Sequence, residues 1–160
     1  MARWQIEELR RVMKEHQIDA YMIVTDDFHA SEYVGDYFKC REYMSGFDGS
    51  AGTLVVTETD ARLWTDGRYF IQAASQLEGS GIELMKSGEP GVPKIEQYLY
   101  DTLTNGQCIG YDGRTVTAAY AQFLKERLEN RKLCWKEKLD LAGEIWEDRP
   151  KMAAEPVWIL

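Results

Sequence analysis

YMSGFDGSAGTLVVTETDARLWTDGRYFIQ, residues 43–72, holds the elements that decide the fold class. Thr53–Thr57 and Ala61–Trp64 are short apolar runs rich in β-branched and aromatic residues, and they predict two strands joined through Glu58, Thr59 and Asp60. Asp66 and Gly67 then lead into Tyr69, Phe70, Ala73, Ala74 and Leu77, spaced for a helix with Asp66 as its N-cap. Ahead of the strands, Gly46, Gly49 and Gly52 recur at every third position, a spacing suited to a tightly bent backbone or to close packing against another group.

Working outward, Trp4 to His16 places Ile6, Leu9 and Met13 at helical spacing, and Asp19–Thr25 reads as a buried strand. Residues 26–33 begin with polar cap formers and continue as a short helical pattern, at the carboxyl end of that strand, where open α/β sheets usually bind ligands. Downstream, Ile82–Met85 is a strand candidate. A turn-rich stretch then leads to a helix carrying Ile95, Tyr98, Leu99 and Leu103. Cys108–Tyr111 predicts a strand, Thr117–Leu128 a helix and Lys132–Trp135 a last short strand. Helices alternating with strands define a layered α/β domain with a mostly buried sheet of about five or six strands.

Composition narrows the function. Lys and Arg total 19 against 27 Asp and Glu, a net charge of −8 that argues against nucleic acid or an anionic membrane as the main partner. The amphipathic N-terminus lacks the uninterrupted apolar run of a signal peptide or membrane span, so the expected location is the cytoplasm. Cys40, Cys108 and Cys134 lie far apart in sequence, with no Cys-x-x-Cys pair and no histidine at ligand spacing. They are expected as reduced, mostly buried thiols. Of the two histidines, His16 is placed near the C-terminal end of the first helix, where a partly positive imidazole suits the dipole.

The glycine loop admits three readings. A phosphate cradle would need Gly-x-x-x-x-Gly-Lys or Gly-x-Gly-x-x-Gly after a strand, and this spacing is neither. A structural loop would use Phe47 as an apolar plug and the glycines for close packing. A functional loop would line a cleft or a subunit interface. Trp64, Tyr69 and Phe70 are expected in the core rather than as a ligand platform. At the other end, Leu141, Ile145 and Trp146 finish an amphipathic element and Asp148-Arg149-Pro150 stops it. Residues 1–150 are therefore read as one domain, and 151–160, ending on an apolar Val157-Trp158-Ile159-Leu160, as a linker or the start of a following domain.

Ser31-Glu32-Tyr33, Arg41, the loop from Ser45 to Gly52, Trp64-Thr-Asp-Gly-Arg-Tyr-Phe70 and the closing Asp148-Arg-Pro150 together resemble the N-terminal domain of Xaa-Pro aminopeptidases, of the creatinase and prolidase superfamily. The resemblance covers nearly the whole chain. It implies a mixed sheet flanked by helices, ribonuclease H-like in topology, set ahead of a catalytic metallopeptidase domain. That second domain would hold two divalent metal ions, manganese above all, and cleave the bond before a proline in second position. It also implies a homodimer. No catalytic or metal-binding residue is assigned within this chain. Three residues are carried over as substrate contacts: Arg68, which in the family faces the active-site cleft; Glu32, which points to the same region; and Arg41, expected to pair with Glu32. An Arg68 bound to Asp66 or Asp48 is the competing structural role. A free-standing binding module for peptides or small molecules, and an unrelated nucleotide-binding α/β protein, are the alternative functions.

Overall fold

A computed structural model describes residues 2–159. In chain order the elements are α1 (Ala2–Glu15), β1 (Ala20–Val24), α2 (Cys40–Ser45), β2 (Thr53–Thr57), β3 (Ala61–Thr65), α3 (Phe70–Gln76), β4 (Glu83–Lys86), α4 (Ile95–Thr102), β5 (Cys108–Tyr111), α5 (Ala118–Arg127), β6 (Cys134–Lys136) and α6 (Leu141–Ile145). The strands form a single six-stranded mixed sheet in the order β4-β3-β2-β1-β5-β6. β2 is antiparallel to both of its neighbours, β1 and β3, while the β3–β4, β1–β5 and β5–β6 pairs are parallel. Five strands therefore end on one edge, and the glycine loop enters β2 at that same edge.

Both faces of the sheet are covered, which explains why its strands read as continuous apolar runs. Side chains alternate along β1: Tyr21 and Ile23 join Leu54, Val56 and Leu63 against α1, α2, α3 and α6. Ala20 and Met22 point the other way, with Val55 and Trp64, into a second cluster built on Tyr98 and Leu99 of α4 and Leu124 of α5. On α1, the expected Ile6, Leu9 and Met13 are all buried, each contributing roughly 1.5–3 kcal/mol relative to exposure. The Tyr21 hydroxyl donates to Leu139 O and accepts from Leu141 N, which ties the start of α6 to the centre of the sheet.

The segment 26–33 departs from expectation. Its polar residues do cap backbone groups, but they build turns: Asp27 Oδ1 accepts from His29 N at 2.7 Å and from Ser31 N at 3.2 Å. Ala30 then takes a positive φ of 58°, incompatible with continuing a helix. The helix on this side is instead α2, formed by Cys-Arg-Glu-Tyr-Met-Ser. Beyond α6 the chain is held by Arg149, which donates to Tyr37 O at 2.8 Å and to Asp140 Oδ2 at 2.5 Å and stacks 3.7 Å over the Tyr37 ring. Residues 151–159 carry no helix or strand and are exposed.

Candidate functional site

The glycine loop is built from the end of α2 outward. Gly46 closes that helix at φ 76°, its N–H donating to Glu42 O at 2.8 Å, a left-handed cap that glycine takes without steric cost. Phe47 then turns inward and is fully buried. At Gly49 a Cβ would lie 2.3 Å from Phe47 Cζ and 2.9 Å from Tyr69 Cδ1, so only glycine fits between the two rings. Farther along, Ala51 O accepts from Thr65 Oγ1 at 2.6 Å and Gly52 O from Thr25 Oγ1 at 2.8 Å, fastening the loop between the ends of β3 and β1.

Arg41 holds this loop from beneath. Its guanidinium donates to Phe47 O and Gly49 O, its Nε donates to Thr25 Oγ1 at 3.0 Å, and its plane sits 4.7 Å from the Phe47 ring centre. The residue is only 4 % exposed. Burial pushes its pKa down to about 10, which leaves it charged at neutral pH. The expected Arg41–Glu32 pairing is therefore corrected. Arg41 is committed to uncharged backbone and hydroxyl acceptors because it lies on the inner side of α2, and Glu32 finds a different arginine.

That arginine is Arg68. Asp66, immediately after β3, caps the following turn by accepting from Arg68 N at 3.0 Å, as expected for an N-cap. The same carboxylate takes Arg68 Nε and Nη2 side-on, each at 3.0 Å. The remaining Nη1 donates to Glu32 Oε1 at 2.9 Å, and Ser50 Oγ donates to that oxygen at 2.8 Å. Ser50 also meets the Tyr69 hydroxyl. One guanidinium is thus forked between two carboxylates from different loops. The Ser50 hydrogen bond, then the Arg68 one, holds the Glu32 carboxyl below its usual range, and Arg68 does the same for Asp66. Unlike Arg41, these side chains stay in solvent, at 56 % exposure for Arg68 and 43 % for Glu32.

Glu32, Ser50, Tyr69 and the loop backbone over Arg41 line an open pocket of about 370 Å³ at the strands' carboxyl edge. Asp48, the other candidate partner of Arg68, is taken instead by Gln72 Nε2 at 2.6 Å and Gln76 Nε2 at 2.8 Å. A second cluster on this edge escaped the sequence reading. Arg114 donates to Asp112 and, at 2.9 Å, to Asp140, the carboxylate that also takes Arg149. Asp112-Gly113-Arg114 repeats the Asp66-Gly67-Arg68 turn, with Asp112 accepting from Arg114 N at 3.0 Å, while Asp140 and Arg149 join it from either side of α6.

His16 lies just beyond α1 and contacts Glu144 at 2.9 Å. His29 is exposed, with its Nδ1 4.0 Å from Asp27. Among the described residues no three His, Cys, Asp or Glu side chains converge to hold a metal ion. A dinuclear centre needs several such donors around each ion, and the donor set of the described residues does not fit one. The three cysteines are free and of intermediate burial, with most of each residue covered.

A glycine loop is thus pinned between strand ends, next to an exposed Asp-Gly-Arg turn on a mixed sheet. The family model for the creatinase/prolidase N-terminal domain matches residues 5–149, and the chain belongs to that family. Among its relatives, it is 42 % identical over 160 residues to aminopeptidase P2 of Arabidopsis thaliana, covering 97 % of this chain and 22 % of that protein. It is 43 % identical to a probable Xaa-Pro aminopeptidase P of Talaromyces marneffei, covering 95 % of this chain and 23 % of the relative. The chain thus spans under a quarter of the length of these curated relatives. Among solved structures, X-prolyl aminopeptidase of Caenorhabditis elegans, described as a cytosolic enzyme with a di-nuclear active site, superposes with a TM-score of 0.89 at 36 % identity, over all of this chain and 28 % of that one. The N-terminal domain of a cytoplasmic peptidase from Mycobacterium tuberculosis gives 0.63 at 25 % identity, covering 89 % of this chain and 98 % of that domain.

Proposed function

We propose that this chain is the non-catalytic N-terminal domain of a Xaa-Pro aminopeptidase and forms one wall of its substrate cleft. The catalytic metallopeptidase domain of the same polypeptide, following residues 151–160, holds two divalent ions, manganese in the expected case. When bound there, the ions supply the activated water for hydrolysis of the bond ahead of proline. The relatives' names and the fraction of their length that this chain covers support this reading. The working enzyme is a cytosolic homodimer acting on peptides with proline in second position.

The observation that carries the residue roles is the exposed Glu32–Arg68–Asp66 chain beside the pocket. Arg68 offers a preoriented guanidinium that can exchange one carboxylate for a peptide carbonyl or carboxylate at little desolvation cost, because both its present partners are in water. Glu32, ionised at neutral pH, faces a peptide ammonium. Arg41 lines the pocket from below as well as holding the loop beside it, and is the third substrate contact in this reading. The test is Arg68→Ala in the enzyme that carries the catalytic domain. Losing a charge-assisted contact lowers kcat/KM for a Xaa-Pro peptide by about tenfold or more, while the circular dichroism spectrum and unfolding midpoint stay as they were. Unaltered kinetics would remove Arg68 from the cleft.

A further inference from the structure

Cys108 and Cys134 are separated by much of the chain's C-terminal third, yet β5 and β6 pair in parallel with these two residues as direct Cα partners. Adjacent strands lie roughly 4.8 Å apart, inside the approximately 4.4–6.8 Å Cα separation that a disulfide spans. Strand parity puts both side chains on the same face. Ile109 points into the cluster with Leu99 and Leu124. The alternate residue Gly110 lies against Ile18, where a Cβ would approach Ile18 Cδ1 to 2.8 Å. Two residues beyond Cys134, Lys136 turns to the same side and donates to His16 O. Both are free thiols, each partly exposed.

We propose that Cys108 and Cys134 form a cross-strand dithiol, a modification site that a low-molecular-weight disulfide such as glutathione disulfide closes into an intramolecular bond. One protein thiol loses its proton and attacks a sulfur of glutathione disulfide, expelling one glutathione thiolate and leaving a mixed disulfide. The second protein thiolate attacks the protein sulfur of that mixed disulfide, expels the other glutathione and forms the Cys108–Cys134 bond. Two protein thiols are oxidised, one glutathione disulfide is reduced to two thiols, and the two protons released by the protein end on them.

The geometry singles out this pair. Cys40, the third thiol, lies beneath Arg149, whose Nη2 reaches its sulfur at 3.2 Å, and burial pushes its pKa up to about 12. Cys108 is also raised, to about 11, first by burial and next by its hydrogen bond to Cys134, while the nearby Lys136 charge works in the opposite sense. The reaction therefore runs faster in mildly alkaline solution, where more thiolate forms. Closure would fasten β6, an outer strand of only three residues whose continuation carries Glu137 and Asp140.

The experiment treats the folded chain with glutathione disulfide, alkylates the remaining thiols and maps the digest by mass without reduction. The expected product is a 108–134 linked peptide pair lighter by two hydrogen atoms, with Cys40 alkylated. Cys108→Ser should accumulate one glutathionyl group on Cys134, because nothing is left to resolve it. A Cys40→Ser chain should still form the link. Stable glutathionyl groups on both residues, two unreacted thiols, or a bond to Cys40 or to a second chain would each overturn the proposal.

Discussion

Two arginines on one edge of the sheet do opposite jobs. Arg41 is buried, bound to two carbonyls and a hydroxyl, and stacked on Phe47, so its charge fixes the loop's shape. Arg68 is mostly exposed and bound to two carboxylates that are themselves in water, so its partners can be exchanged. The difference is one of desolvation rather than residue type. A guanidinium removed from water must keep every hydrogen bond it has, because losing an acceptor strands a buried charge, whereas an exposed one can let a carboxylate go to solvent at little cost. The proposed binding wall rests on this pairing of a loop fixed from beneath with an arginine whose partners are in water.

That contrast can be broken in order of size. Phe47→Ala removes the fully buried ring on which Arg41 and Gly49 both rest, and should cost about 3–5 kcal/mol in urea unfolding. A smaller loss would mean that the loop collapses to fill the space. Arg41→Met keeps the apolar stem but abandons three acceptors beneath the loop, an expected loss of about 2–3 kcal/mol. A neutral result would show that Phe47 alone sets the conformation. Gly49→Ala drives a methyl into the Phe47 ring, and overpacking of this kind costs about 1–3 kcal/mol.

Arg68→Ala closes the series with no measurable change in the urea midpoint, since the pair it breaks is exposed. Its signature lies in Glu32. The folded carboxyl titrates below the unfolded value of about 4.3, so the network's stabilisation is present above that pH and fades as pH falls through the lower folded value. Carbon-detected titration should show the Glu32 midpoint rising in Arg68→Ala and also in Ser50→Ala, which removes the larger of the two hydrogen-bond contributions. An unmoved midpoint in both variants would dissolve the network.

Much of the fold was legible because periodicity and caps agree locally. The runs in residues 53–57 and 61–64 became β2 and β3, Asp66 became the cap, and the helix reading beyond it became α3. Residues 26–33 misled because Asp side chains that cap a turn also cap a helix, and only the positive φ at Ala30 separates the two outcomes. The short helix α2 hid in a mixed-charge hexapeptide whose buried side includes an arginine. Arg68 was legible as a contact candidate from its motif, but its pairing with Glu32 and the Asp112–Arg114–Asp140–Arg149 cluster were not. Glu32, Asp140 and Arg149 come from loops that only the strand order brings to one edge, whereas Asp112 and Arg114 share one Asp-Gly-Arg turn like that of Asp66 and Arg68. Cys108 and Cys134 likewise looked remote until register set them side by side.

The central claim is that this chain forms a wall and not a reaction centre. Its most direct test is release of the N-terminal residue from a Xaa-Pro peptide by the isolated 160-residue chain supplied with manganese. Silence in that assay is the predicted result. Sustained turnover by the purified chain would contradict it.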